Sequence, residues 1–160
     1  MRIQQELGLP NPITTRNHEA LMNLVLTGAL MTKTGDRVLR PYGLTASQFN
    51  VLMLLKYQSA GEGITQTRLG GMLLVNRSNV TGLIDRMEEA GWVERGSEEG
   101  DRRVNRVALT SAGNMLLKKA EKAYFDCVGQ VMGMLSADDH RQLCRVLERI
   151  RGALRNTDKP

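Results

Sequence analysis

The 160-residue chain is 41% hydrophobic, 4% aromatic and 24% charged, with a net charge of +5. That length accommodates one domain with a real core, and that hydrophobic share excludes a chain disordered throughout. No run approaches the roughly 20 apolar residues of a membrane span, and no basic-then-apolar leader opens the sequence, so a cytoplasmic protein without membrane contact is expected.

Pro10 and Pro12 forbid regular helix nearby, and the first dozen residues are expected to fray. From Thr15 to Leu39 the pattern predicts one long helix, stopped by Pro41 and Gly43. Leu21, Leu24, Val25, Leu26, Leu30 and Met31 occupy more than one of its faces, which calls for cover from a partner subunit. "LTASQFNVLMLLKYQ" predicts a second helix, opened by a capping box of Thr45 and Gln48. "ITQTRLGGMLLV" predicts a short third helix with Thr65 as its N-cap. "NRSNVTGLIDRMEEAG" predicts a fourth. Its apolar stripe is Val80, Leu83, Ile84, Met87 and Ala90, and Gly91 suits its C-terminal cap. Only "VNRS" separates the two, which is the helix-turn-helix pattern. "WVER" and "RVNRVALT" then read as strands around the polar loop "GSEEGDR", so a hairpin follows the helix pair. Thr110 caps a fifth helix, and Ser136 with Asp139 opens a sixth carrying Leu143, Val146, Leu147, Ile150 and Leu154 in one stripe. The fold class is mainly α with a small β-hairpin wing: a winged helix-turn-helix over 44–110, flanked by dimerisation helices over 14–40 and 111–155.

Net charge gives only a weak pointer to a polyanion, because it is unevenly placed. Residues 76–110 hold six Lys/Arg against seven Asp/Glu, whereas residues 140–160 hold six Lys/Arg against two acids. In the middle segment, placement of the charges must therefore achieve what their sum does not. With the apolar stripe of the fourth helix turned inward, Ser78, Gly82, Asp85 and Glu89 face outward, flanked by Asn79, Thr81 and Arg86. Asn76, Arg77, Ser78, Asn79 and Thr81 supply short or cationic groups of the kind that reach phosphates and base edges, and Gly82 admits close approach to a groove. Asn and Ser also favour helix starts regardless of function, so this cluster read alone is equally an N-cap. The hairpin shifts the balance. Asp101, Arg102 and Arg103 lie at its tip, where a guanidinium enters the narrow minor groove of A·T-rich DNA, and Asp101 or Asp85 is placed to brace one of the two arginines.

"GLTASQFNVL", "VNRSNVTGLIDRMEEAGWVER" and "GDRRVNRVALTSAG" resemble the winged-helix core of the MarR family of bacterial transcription regulators. The flanking helices match that family in layout more than in sequence. The resemblance implies a homodimer interlocked through its terminal helices, two winged helices on a palindromic double-stranded DNA site, and repression as the commoner mode. It also implies a small, often phenolic, effector where the dimer helices meet the DNA lobe, and Met22, Phe49 and Met53 are the residues assigned to that pocket. It places Ser78, Asn79, Thr81 and Arg86 on recognition-helix positions and Arg102 and Arg103 on wing positions. The redox branch of the family uses a cysteine near the N-terminus; here none precedes Cys127, so peroxide sensing by that route is not expected.

Other functions have less support. No P-loop, HExxH or GxSxG occurs, and His18 and His140 are isolated, so no enzyme is expected. Cys127 and Cys144 lack zinc spacing, so no metal or cofactor is expected either. A winged helix used only for protein contacts is the remaining alternative, and paired arginines at the wing tip argue against it.

Overall fold

The computed structural model describes the backbone of residues 3–73, 77–98 and 101–157, and their side chains except at 77, 78, 97, 98, 101–105 and 157. The chain divides into two compact units, Met1–Ala123 and Tyr124–Pro160.

The first unit opens with a short helix, α1 (Ile3–Glu6), where fraying is expected from the sequence. The correction has a simple cause: the prolines at 10 and 12 lie beyond this turn, and Ile3 is buried, so packing holds a helix that propensity alone does not. Helix α2 (Arg16–Leu39) follows, with the Thr15 hydroxyl accepting from the His18 N–H at 3.3 Å. A single 3₁₀ turn, Arg40–Tyr42, ends at Gly43 and leads to α3 (Ala46–Gln58). The predicted capping box is present: the Gln48 N–H donates to Thr45 Oγ1 at 3.3 Å and the Thr45 N–H to Gln48 Oε1 at 2.9 Å.

Next come β1 (Ile64–Thr65), α4 (Gln66–Leu73), α5 (Arg77–Glu89), β2 (Val93–Glu98) and β3 (Asp101–Leu109). The sheet has the order β1-β3-β2 with both pairings antiparallel. Strand β1 is not among the predicted elements. Two residues are too few to show a period, and Ile64 is held by pairing with Val107 across the sheet. Thr65 still serves as predicted, its hydroxyl accepting from the Arg68 N–H at 3.3 Å. The core lies between α3, α4, α5 and the sheet, where Phe49, Leu52, Leu55, Ile64, Leu69, Val80, Ile84, Met87 and Val107 are all buried. Four of the five predicted stripe residues of α5 are in it; Ala90 is exposed, because it follows the last helical turn. Gly91 closes that helix at a φ of 72°, with its N–H on Glu88 O at 2.8 Å, a backbone state that favours glycine.

Helix α6 (Ser111–Met132) starts where the hairpin ends. The Thr110 hydroxyl donates to Gly91 O at 2.7 Å and accepts from the Gly113 N–H at 3.0 Å. One side chain thus ties the start of α6 to the end of α5. Gly113 is packed so tightly here that a Cβ would fall 2.0 Å from Trp92 O. Leu117 and Ala120, one and two turns on, are buried, and Lys56 of α3 meets Glu121 at 2.7 Å.

The second unit contains the end of α6 and α7 (Ala137–Thr157), opened as predicted by Ser136 and Asp139. The Ser136 N–H donates to Asp139 Oδ2 at 2.9 Å and the Asp139 N–H to Ser136 Oγ at 3.1 Å. Hydrogen bonds from Ser136 hold the Asp139 carboxyl below the ordinary aspartate value. Among its described residues none is a buried apolar side chain, and Val146, Ile150 and Leu154 are exposed.

Candidate nucleic-acid interface

Helix α5 packs on α4 and on β2. Val80, Leu83, Ile84 and Met87 point into the core, which leaves Asn79, Thr81, Asp85 and Arg86 on the exposed face, with Gly82 half-buried among them. This is the disposition of the predicted recognition surface. A Cβ on Gly82 would lie 3.6 Å from Arg86 Nη1, an ordinary contact distance, so the arginine side chain lies along the helix beside the glycine. Asn76 lies outside the described residues. Arg77 and Ser78 form the first turn of α5, and their side chains are likewise outside the description.

The hairpin is regular from Val93↔Leu109 to Ser97↔Asn105. The next pair is Glu98↔Asp101, so a single step on β2 spans four on β3. Arg102 and Arg103 therefore belong to an irregular segment at the far end of the wing, and irregularities of this kind re-aim side chains out of a ladder. The side chains of Asp101, Arg102 and Arg103 are outside the described residues.

Asp85 is held by a residue that the sequence reading passed over. Arg95 of β2 donates through Nη2 to Asp85 and through Nη1 to Glu88, and its own backbone N–H reaches Glu88 Oε1 at 3.0 Å. Burial lowers the proton affinity of the Arg95 guanidinium, but its hydrogen bonds to Asp85 and Glu88 outweigh it, and the group stays charged with its pKa raised. One cation of the wing thus bridges two acids on successive turns of α5. The signal was present in the sequence, since Asp85 and Glu88 are three residues apart on one helix face and Arg95 alone in "WVER" is cationic.

The three residues assigned to an effector pocket fall in different surroundings. Phe49 is buried in the lobe core. Met22 lines a surface cleft with Pro10, Pro12 and His18 that includes neither Phe49 nor Met53. Met53 is half-buried on α3. Among the described residues no cluster of three His, Cys, Asp or Glu is arranged to hold a metal ion, and no helix is long and apolar enough to cross a membrane.

A helix-turn-helix with a braced two-stranded wing defines a DNA-binding transcription regulator rather than an enzyme. The chain belongs to the MarR family: the family profile matches residues 42–104, the segment that runs from the turn before α3 into the wing. It is 33% identical over 133 residues to the transcriptional activatory protein BadR of Rhodopseudomonas palustris, covering 81% of this chain and 74% of that protein. Among solved structures it resembles AbsC, a MarR family transcriptional regulator from Streptomyces coelicolor, at 26% identity and a TM-score of 0.81, covering 91% of this chain and 99% of that one. It also resembles CouR of Rhodococcus jostii bound to p-coumaroyl-CoA, at 25% identity and a TM-score of 0.76, covering 86% and 95%.

Proposed function

We propose that two copies of this chain join through the helices of 14–40 and 111–155 and present their lobes, 44–110, to a palindromic site in double-stranded DNA. The bound dimer represses transcription in the cytoplasm, and a small phenolic effector relieves it. The observation that carries this reading is the pairing of an exposed, polar face of α5 with a wing fixed to that helix by Arg95. Asn79, Thr81 and Arg86 are assigned to base and phosphate contacts, together with Asn76, Arg77, Ser78 and Gly82. Arg102 is assigned to the minor groove, with Asp101 and Arg103 as its neighbours on the wing.

Dimerisation is supported by apolar groups that one copy leaves uncovered. Leu21, Val25 and Met31 of α2 and Val146 and Leu154 of α7 are each at least 49% exposed. Patches of this kind on helices mark a protein interface, and a second identical copy is the usual occupant. Small-molecule control is supported by CouR, which was solved with p-coumaroyl-CoA bound. BadR carries the opposite sign in its name, so the direction of regulation is read from transcription of a template bearing the selected site, with and without the protein.

The test is selection of bound DNA from a random pool. A palindromic consensus recovered by the full-length chain, at a stoichiometry of two chains per site, is the expected result. Recovery of unrelated sequences with uniform affinity would leave a winged helix serving protein contacts.

A further inference from the structure

Helix α6 is packed on the DNA-binding lobe through its first turns only. Gly113, Leu117 and Ala120 are its buried residues, and the helix runs on past the end of the first unit, at Ala123, to Met132. One residue after Ala120, Glu121 engages the last turn of α3 with both of its carboxylate oxygens. Lys56 Nζ donates to Oε2 at 2.7 Å, and the Tyr57 hydroxyl donates to Oε1. The same ammonium lies 4.7 Å from the centre of the Tyr57 ring, so the three groups close on one another. The side chains of Lys56 and Glu121 are only 23% and 17% exposed, so solvent screens this pair less than an open surface pair. Each oxygen has its own donor, and charge-assisted bonds of this kind hold a carboxylate in direction as well as in place. The other end of the tie is firm, since α3 buries Phe49, Val51, Leu52 and Leu55 in the lobe. Beyond Ala120 no described residue of α6 is buried, so the cluster is the last hold on this helix before it leaves the lobe.

We propose that Lys56, Tyr57 and Glu121 are positioning residues that fix the direction in which α6 leaves the lobe, and through it the spacing between half-sites that the protein accepts. This rests on the reading of two copies on a palindrome. In such a dimer the two lobes are held apart by the helices that join them, and half-site separation follows that geometry. The lever is long enough to matter. From Glu121 to Met132 the helix rises about 16 Å. A tilt of roughly 10° at Glu121 moves the far end by about 3 Å, close to the rise of about 3.4 Å for one base pair. A cluster that holds the tilt within a few degrees therefore separates one spacing from the next. It touches no DNA, and its effect falls on spacing and not on the reading of either half-site.

The experiment uses the full chain and four duplexes: the selected palindrome, the same site with one base pair added or removed at its centre, and a single half-site. Wild type is expected to prefer the selected spacing at least tenfold over either shifted one. Glu121→Ala should cut that preference threefold or more and leave half-site affinity within twofold. Tyr57→Phe, which removes one oxygen and leaves the Lys56 bond in place, should cut it less and in the same direction. Lys119→Ala, at an exposed position two residues earlier on α6, should leave it intact. Circular dichroism checks folding, and Tyr57→Phe carries the test should Glu121→Ala fail to fold. Full spacing preference retained in the cluster variants overturns the proposal and leaves the two-copy reading standing. Half-site affinity that falls as far as palindrome affinity also overturns it, because the cluster would then shape the lobe itself. A wild type that binds all three spacings alike removes the two-copy reading, and the proposal with it.

Discussion

Arg95 on the first wing strand donates to Asp85 on the recognition helix, and the pair makes the angle between the two elements a property of the fold. The bond adds little to stability, because Asp85 is half exposed and ion pairs of that kind contribute on the order of 1 kcal/mol or less. Its effect is geometric. Arg95→Ala should lower affinity for the selected DNA several-fold and speed amide exchange in Val93–Glu98 and Asp101–Leu109, with a thermal transition close to wild type. Asp85→Ala should do less, since Glu88 keeps a second hold on the guanidinium. The double variant should be no worse than Arg95→Ala, because both changes act through one interaction. Additive losses would mean that Asp85 has another role.

The exposed end of α5 makes the specificity prediction. Asn79 and Thr81 are short, polar and exposed, on the two flanks of the buried stripe. Each, replaced by Ala, should cost on the order of 1–3 kcal/mol on the selected site and less on random DNA, the signature of lost base contacts. Equal losses on both DNAs would assign them to phosphates alone.

How much of this was legible in the sequence follows the length of each signal. The long helices were readable because caps and apolar stripes agree over many turns, as at Thr45 with Gln48 and at Ser136 with Asp139. The helix-turn-helix and hairpin were readable for the same reason. Strand β1 was not, because two residues carry no period and their pairing is with Val107, 43 positions after Ile64. Helix α1 was hidden by the prolines that follow it. At the interface, the outward residues of α5 fall out of the helical wheel, and Asp85 is legible as a brace, but the arginine expected on it is Arg102 or Arg103 and the one found there is Arg95. The two acids on one face of α5 and the lone cation of "WVER" are a signal in the sequence, but the contact between them also needs the turn at Gly91 to fold β2 against α5.

Gly113 tests the join between wing and α6. A methyl group there would lie 2.0 Å from Trp92 O, which is backbone and has little freedom to retreat. Gly113→Ala should destabilise the protein despite the better helix propensity of alanine, by about 1–3 kcal/mol or more as for other overpacked sites. Urea unfolding measures it. A neutral or stabilising result would show that α6 shifts outward at no cost.

The contact between α3 and α6 predicts a pH dependence. The Lys56 ammonium, and after it the Tyr57 hydroxyl, hold the Glu121 carboxyl below its ordinary value. The same hydrogen bond to Glu121, then that to Tyr57, hold Lys56 above its own. Glu121 is a depressed acid, so its contribution is complete above the unfolded carboxylate value and is lost as pH falls through the folded one. Lys56 is a raised base, so its contribution is complete below the unfolded lysine value and is lost as pH rises through the folded one. Glu121→Gln should therefore cost about 1 kcal/mol at neutral pH, and the difference from wild type should close on acidification below the usual carboxylate range. A difference that stays constant with pH would assign the loss to packing.

The wing tip carries the last prediction. Arg102 and Arg103 lie in the segment of β3 where the ladder with β2 skips. Arg102→Ala should weaken binding most on sites with A·T-rich flanks, where the minor groove is narrow and most negative, and should reduce the salt slope by about 1. Arg103 is assigned to bracing by Asp101, so Arg103→Ala should lower affinity on all flanks alike and leave the flank preference in place. Neither change should move the urea midpoint appreciably, since surface substitutions stay within about 0.5 kcal/mol. The Arg95 brace sharpens this expectation. It fixes the base of the wing without help from the tip, so losses at Arg102 should add to those at Arg95 instead of merging with them. Unchanged DNA binding after removal of both tip arginines at physiological salt would reduce the stretch to a charged turn and leave α5 as the sole reader of the site.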